Sequence, residues 1–461
     1  MLFNSIDFAI FLPIVFTVYW LLNKNLRLQN LFVVIASFVF YGWWDVRFLL
    51  LISITVLSSY YTAQIFAARD GIKFPFMANI FLNFFILGYF KYCNFFAENF
   101  ANAFSLFGIS LDIRALSIVL PVGISFYTFQ AIGYTIDVYK RKIEPAKDII
   151  SFFAFVSFFP LLVAGPIERA NSLLPQFNKK RIFEYDKAVD GCRQILWGLF
   201  KKIVVADTCA MEVNGIFSNV EDCSGSTLFL GGILFAVQIY GDFSGYSDIA
   251  IGVSRLFGIN AMKNFAFPYF SRDIAEFWRR WHISLTTWFR DYIYIPLGGS
   301  RCSKAKQVRN VFIIFLLSGF WHGANWTFIL WGALHATLFL PLLLTGNNRR
   351  NMDKALPKDF GKIACTFLLV SFAWLFFRAE NIAQLGQIMS GIFSFSFFSI
   401  PDIPKKAVLF SMMLFIFEWI AKDKNHALEK PRKWYFYYVL LFLVWYCAVS
   451  NKPQIFIYFQ F

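Results

Sequence analysis

The chain has 461 residues, 58% of them hydrophobic and 15% charged, with a mean hydropathy of +0.56. A water-soluble domain of that length needs far more surface charge, so the composition excludes one and points to an all-α protein that crosses a membrane many times. The net charge of +15 is spread between apolar stretches and forms no continuous basic face, which argues for loops retained on one side of a membrane and against nucleic acid. Seven cysteines lie far apart without a C-x-x-C pair, and no His, Asp or Glu set has ligand spacing. Neither a disulfide framework nor a metal site is therefore expected.

In chain order, apolar runs near Ile6 to Leu22, Leu28 to Trp44, Phe48 to Ala67, Phe74 to Tyr92 and Ala115 to Val138 read as spans. The first lacks the basic leader and small-residue cleavage site of a secretory signal, so it reads as a retained span. The loops after the first, third and fifth spans carry Lys24 and Arg27, Arg69 and Lys73, and Lys140 to Lys147, whereas Cys93 to Asp112 has no Lys or Arg. The positive-inside rule then puts the N-terminus outside and the basic loops in the cytoplasm. Ile149 to Val163 is too short for a simple crossing and precedes Arg169, Lys179, Lys180 and Arg181, so a re-entrant segment is expected there.

Cys192 to Val205 contains Lys201 and Lys202 and reads as an amphipathic helix leading into a span, with Glu221 and Asp222 in a short outer loop. Leu228 to Phe257 crosses back but includes Asp242 and Asp248, each costing roughly 3 kcal/mol at a helix centre if unpaired. They either pair with nearby basic or backbone groups or take part in chemistry. The region from Lys263 to Asn310 is basic and amphipathic, without a long apolar run, and reads as lying in and under the cytoplasmic leaflet. Val311 to Trp321 and Thr327 to Thr345 then form a deep hairpin. Spans near Ile363 to Phe377, Val408 to Ala421 and Trp434 to Val449 complete the chain, with basic loops at Arg349 to Lys362 and Lys422 to Lys433. The expected architecture is a bundle of roughly 11 spanning helices with re-entrant and interfacial helices, in one membrane domain: N-terminal helices 1–148, a catalytic core 149–345, and C-terminal helices 346–461.

Three of the four histidines fall between Asn264 and Ala336. His322 is the leading candidate for chemistry, because an imidazole near neutral pH serves as base, acid or nucleophile, and a polar group inside a hydrocarbon-length segment is costly without a purpose. Trp321, Asn325 and Trp326 flank it. The alternative is a packed histidine among aromatics. His282 shares a helix face with Arg279 and is flanked by Trp278 and Trp281, which also suits an interfacial anchor. His335 lies more than three turns beyond His322, and on one continuous helix it would face the opposite way.

The run Phe277-Trp-Arg-Arg-Trp-His282-Ile-Ser-Leu-Thr-Thr-Trp-Phe-Arg-Asp-Tyr through Gly299, followed by Gly319-Phe-Trp-His322-Gly-Ala-Asn-Trp326, resembles the membrane-bound O-acyltransferase (MBOAT) family. Leu161 to Arg169 and Gln238 to Gly252 extend the likeness, and Met1 to Trp20 with Tyr41-Gly-Trp-Trp44 is similar to the branch that O-acetylates alginate and peptidoglycan. Ala336 stands where close relatives are expected to have Gly. The resemblance implies that His322 fills the essential histidine position and His282 the second polar position. It also implies a cytosolic thioester donor such as acetyl-CoA, drawn by Arg279 and Arg280, and no bound cofactor. His322 would act as base or transient acyl carrier, while His282 orients the acceptor or polarises the thioester carbonyl. The acyl group would pass to hydroxyls of an extracytoplasmic polysaccharide, with a separate acetyltransferase-like partner, in a bacterial inner membrane. The rival classes are a transporter or polymer-export channel, for which the chain shows no inverted repeat, and a scaffold for polymer assembly.

Overall fold

A lipid-facing backbone must satisfy its own N–H and C=O groups, and among the described residues every regular element is helical. The computed structural model describes residues 1–68, 73–105, 107, 116, 118–349, 355–451, 454, 456 and 457. Arg69, Ala115, the stretch 108–112 and residues 350–354 of the expected basic loop lie outside them. The chain divides into two compact units, one of residues 1–185 with 254–261 and one of 186–253 with 262–461.

The first unit contains α1 (Ile6–Leu21), α2 (Leu26–Gly42), α3 (Phe48–Ala68), α4 (Lys73–Ser105), α5 (Ile124–Tyr139), α6 (Ile149–Ser157), α7 (Phe159–Leu162) and α8 (Ala170–Phe177). The fifth helix starts later than its apolar pattern suggests. Pro121 disfavours a helix at the residue before it, and Gly123 takes φ +75°, where a Cβ would lie 2.6 Å from Leu162 O. At nine residues α6 rises about 14 Å, half of a hydrocarbon core, and the chain breaks at Phe158. A helix of that length does not cross by itself, as the short apolar run indicated. Arg181 is not a loop charge: it is buried and donates to Gln29 Oε1 (2.9 Å) and Asn30 Oδ1 (2.6 Å).

The second unit contains α9 (Tyr185–Leu199), α10 (Asp207–Ser218), α11 (Gly225–Leu256), α12 (Ile274–Arg280), α13 (Ile283–Phe289), α14 (Lys304–His322), α15 (Trp326–Thr345), α16 (Phe360–Arg378), α17 (Ile382–Ile392), α18 (Lys405–Ile420) and α19 (Trp434–Ser450). A π-helical turn, Phe200–Ala206, joins α9 to α10 and turns Lys201 and Lys202 inward, so both are buried. Helix α11 can carry its carboxylates because 78% of its most apolar stretch is covered by protein.

Among the described residues, five helical segments have the length and hydropathy to cross a membrane: α3, α4, α11, α15 and Pro357–Arg378; α1, α2 and α19 are shorter apolar helices. Helix α19 buries only Leu440 and Cys447 and leaves Phe442, Trp445 and Val449 outward, as a lipid-facing helix does. The protein is thus an all-α polytopic membrane protein. Helix α17 lies in a stretch not expected to be a helix; its eleven residues are capped by Asn381 and bury Leu385, Ile388 and Ile392.

Candidate active site

The site is built in the second unit from α12 to α16. Between α12 and α13 the chain reverses at His282, which takes the left-handed conformation (φ 42°, ψ 54°) that non-glycine residues adopt at a cost of about 1–3 kcal/mol. Asn264 holds it there. Its backbone carbonyl accepts from Ile283 N (2.9 Å), and its Oδ1 lies 3.2 Å from His282 Nδ1 while accepting from Ser284 Oγ (2.9 Å) and Ser284 N (3.3 Å). The His282 ring, 1% exposed, packs edge-on to Phe243 and Trp321, with centroids 4.7 and 5.9 Å away.

His322 is the last residue of α14 and is 4% exposed. Trp321, Trp331 and Phe377 surround its ring at 5.0, 5.3 and 5.2 Å between centroids, all close to perpendicular. Trp321 therefore stands between the two histidines, touching both rings. The chain then turns through Gly323 to Asn325, and Asn325 starts α15 by accepting from Thr327 N (3.0 Å) while donating to Glu380 O (2.6 Å).

This turn is the tip of the expected hairpin. His322 and His335 lie on its two successive helices, and Trp331 stands between them, 5.3 Å from the first ring and 4.9 Å from the second. His335 is fully buried, and its Nδ1 accepts from Trp278 Nε1 at 3.3 Å. An indole N–H only donates, so neutral His335 carries its proton on Nε2 and serves to fix Trp278. Ala336 is fully buried beside it.

Beside this aromatic wall lies a cavity of about 250 Å³, lined by Trp278, Arg279, Leu285, Arg290, Tyr294, Phe315 and Ser318 among others. Ser318 sits one helical turn before His322 on the same face of α14. The two adjacent arginines separate here. Arg279 lines the cavity and donates to Asn348 O (2.7 Å), whereas Arg280 turns to Glu276 (2.7 Å) and Ala266 O (3.2 Å). Trp281 faces away from the cavity into a cluster with Phe265 and Trp374, each 5.0 Å away. Trp326 is 48% exposed at the start of α15.

Asp242 and Asp248 belong to a separate buried network. Lys202 lies 2.8 Å from both Asp242 and Asp207, and Asp242 also accepts from Ile457 N (2.8 Å). Lys201 pairs with Asp248 at 2.5 Å, and Gln194 donates to the same carboxylate at 2.7 Å. Their partners are therefore lysines, the Gln194 amide and backbone, and the two carboxylates brace α11 against the π-helical turn. Asn264, Ser284, Arg290, Ser318 and Trp331 join the site although none of them was expected to have a role of its own in it. A linear chain does not reveal that Asn264, 18 residues before His282, closes on its ring.

The arrangement can do base chemistry: a buried imidazole walled by aromatics lies one helical turn from Ser318, which lines a cavity together with Arg279 and Arg290, although neither His322 nor His282 is among the residues that line it. The profile of the membrane-bound O-acyltransferase family, MBOAT, matches residues 146–379 and so contains the whole of this site. The chain is 40% identical over 410 residues to the probable alginate O-acetylase AlgI of Pseudomonas aeruginosa, covering 87% of this chain and 77% of that protein. It is 34% identical over 440 residues to a peptidoglycan O-acetyltransferase of Helicobacter pylori, covering 88% and 82%. To a teichoic acid D-alanyltransferase of Bacillus subtilis it is 29% identical over 231 residues, covering 47% and 57%. With its site inside the family's matched region and two relatives aligned over most of their length, the chain belongs to the membrane-bound O-acyltransferase family and is an O-acyltransferase.

Proposed function

We propose that the protein transfers an acetyl group from a cytosolic thioester such as acetyl-CoA across the inner membrane, toward hydroxyls of an extracytoplasmic polysaccharide. A separate acetyltransferase-like protein completes the transfer outside. In this reading the N-terminus is outside and Lys140 to Lys147 face the cytoplasm, in accord with the loop charges. The observation that carries it is the cavity walled by Trp278, Arg279, Arg290 and Ser318, one helical turn from His322.

The guanidinium groups of Arg279 and Arg290 attract the phosphates of the donor, and the apolar wall of Phe289, Val311 and Phe315 receives its thioester arm. The acceptor hydroxyl attacks the thioester carbonyl, its proton passes to His322, and the C–S bond breaks. The proton then leaves with the thiolate as free thiol, so His322 is restored. A covalent route has the imidazole itself take the acyl group first and hand it on. The relatives support the acetyl group and the polymer acceptor, since two of them are named for O-acetylation of alginate and of peptidoglycan.

The test is acyl transfer by the purified protein in liposomes, supplied with radiolabelled acetyl-CoA on the cytoplasmic face and a soluble polysaccharide acceptor with the partner on the other. Label in polymer, lost on replacing Arg279 and Arg290 together through a rise in KM for the donor, is the expected result. Donor use with an unchanged KM in that folded variant contradicts the assigned entry route.

A further inference from the structure

We infer that Asn264 is a positioning residue that sets His282 in the tautomer with its proton on Nδ1, leaving Nε2 as the unprotonated nitrogen; this rests on the reading that His282 works in acyl transfer. The hydrogen bonds decide the orientation of the Asn264 amide. The backbone N–H of Ser284 is an obligate donor, so the atom 3.3 Å from it is the carbonyl oxygen, and the amide nitrogen is the one that donates to Ser247 Oγ at 3.2 Å. The same carbonyl oxygen lies 3.2 Å from His282 Nδ1 and cannot donate, so the proton in that bond belongs to the imidazole.

Ser284 Oγ agrees. It spends its proton on Asn264 Oδ1 at 2.9 Å and turns a lone pair toward His282 Nδ1 at 3.5 Å. The grip is also conformational, because Asn264 bonds the backbone on both sides of the Ile283 peptide and so pins the left-handed turn that aims the ring. His335, whose Nδ1 accepts from an indole, is held in the opposite tautomer.

The tautomer has a consequence for the reaction. With its one proton committed to Asn264, neutral His282 has no N–H to give a thioester carbonyl, so it does not polarise the donor. What it offers is a lone pair on Nε2, which accepts a hydrogen bond from a hydroxyl and orients it. The geometry thus assigns His282 to the acceptor rather than to the donor.

Long-range proton–nitrogen NMR of the protein labelled at histidine nitrogen tests this, with the His282 pattern assigned by its disappearance in His282→Gln. Wild type is expected to show His282 protonated on Nδ1. Asn264→Asp keeps an acceptor at that point and should preserve both the pattern and most of the acyl transfer. Asn264→Ala should lose the Nδ1-protonated pattern and on the order of 10²-fold of the acyl-transfer rate, the cost of a reacting group misplaced by about 1 Å. A wild-type His282 protonated on Nε2 overturns the inference, and so does an unchanged His282 pattern in folded Asn264→Ala. Full acyl transfer by His282→Gln, with the wild-type pattern as inferred, overturns instead the reading that His282 works in the reaction.

Discussion

Replacing Gly319 by Ala tests whether the hairpin holds His322 in working position. Helices α14 and α15 cross where Gly319 faces Phe328 and Gly332 faces Phe315; a Cβ on Gly319 would lie 2.2 Å from Phe328 O, and one on Gly332 2.3 Å from Phe315 O. Ordinary contact begins at 3.4 Å and neither obstacle is a flexible side chain end, so one methyl group forces the helices apart by about 1.2 Å. His322 is one turn from Gly319, and Trp331 adjoins Gly332. A misplacement of about 1 Å at a reacting group costs on the order of 10²-fold in rate, while overpacking costs about 1–3 kcal/mol of stability. Gly319→Ala should therefore insert and extract, melt somewhat lower than wild type, and retain about 1% of the acyl-transfer rate per folded molecule. Rates in liposomes, normalised by monodisperse protein on gel filtration, provide the measurement. A folded Gly319→Ala with a rate within about twofold of wild type refutes the claim that this crossing sets the site.

Lys202→Met leaves Asp207 and Asp242 buried beside each other without their cation, and should lower stability by about 3–5 kcal/mol, read as a fall in detergent melting temperature that Lys202→Met/Asp242→Asn partly reverses. Ser318→Phe places a ring in the 250 Å³ cavity and should raise KM for the donor by roughly tenfold, about 1.4 kcal/mol, with little change in melting. Arg280→Gln, which breaks the pair with Glu276, should reduce melting temperature and leave donor KM unaltered, in contrast to Arg279→Gln. Asn325→Ala removes the cap of α15 and its bond to Glu380 O and should cost about 1 kcal/mol, seen as a lower melting temperature.

The membrane class, the helical architecture and the hairpin ending at His322 were legible because hydrocarbon thickness and backbone satisfaction write themselves into long apolar runs. The shortness of α6 was legible for the same reason, since its apolar run is too short to cross. What could not be read is which polar groups meet. Arg181, Lys201 and Lys202 look like topology charges in a linear chain, yet all three are buried, and only the π-helical turn that ends at Asp207 and the distant Gln29, Asp242 and Asp248 explain why. Arg279 and Arg280 are neighbours in sequence, but α12 points one at the cavity and the other at Glu276. The hairpin puts His322 and His335 on different helices, but a linear chain does not reveal that both rings pack on Trp331. Helix α17 escaped notice because its apolar face is short and its other side polar, which is a weak pattern beside membrane spans.

The most direct test of the central claim is the rate of acyl transfer by His322→Gln at matched folded protein. Gln keeps much of the imidazole's volume and some of its hydrogen bonding but cannot exchange a proton near pH 7. If His322 is the base or acyl carrier, the variant should extract and melt like wild type with acyl transfer lower by at least about 10²-fold, the smaller end of a general base's contribution. A well-folded His322→Gln that transfers acyl groups at the wild-type rate contradicts the account.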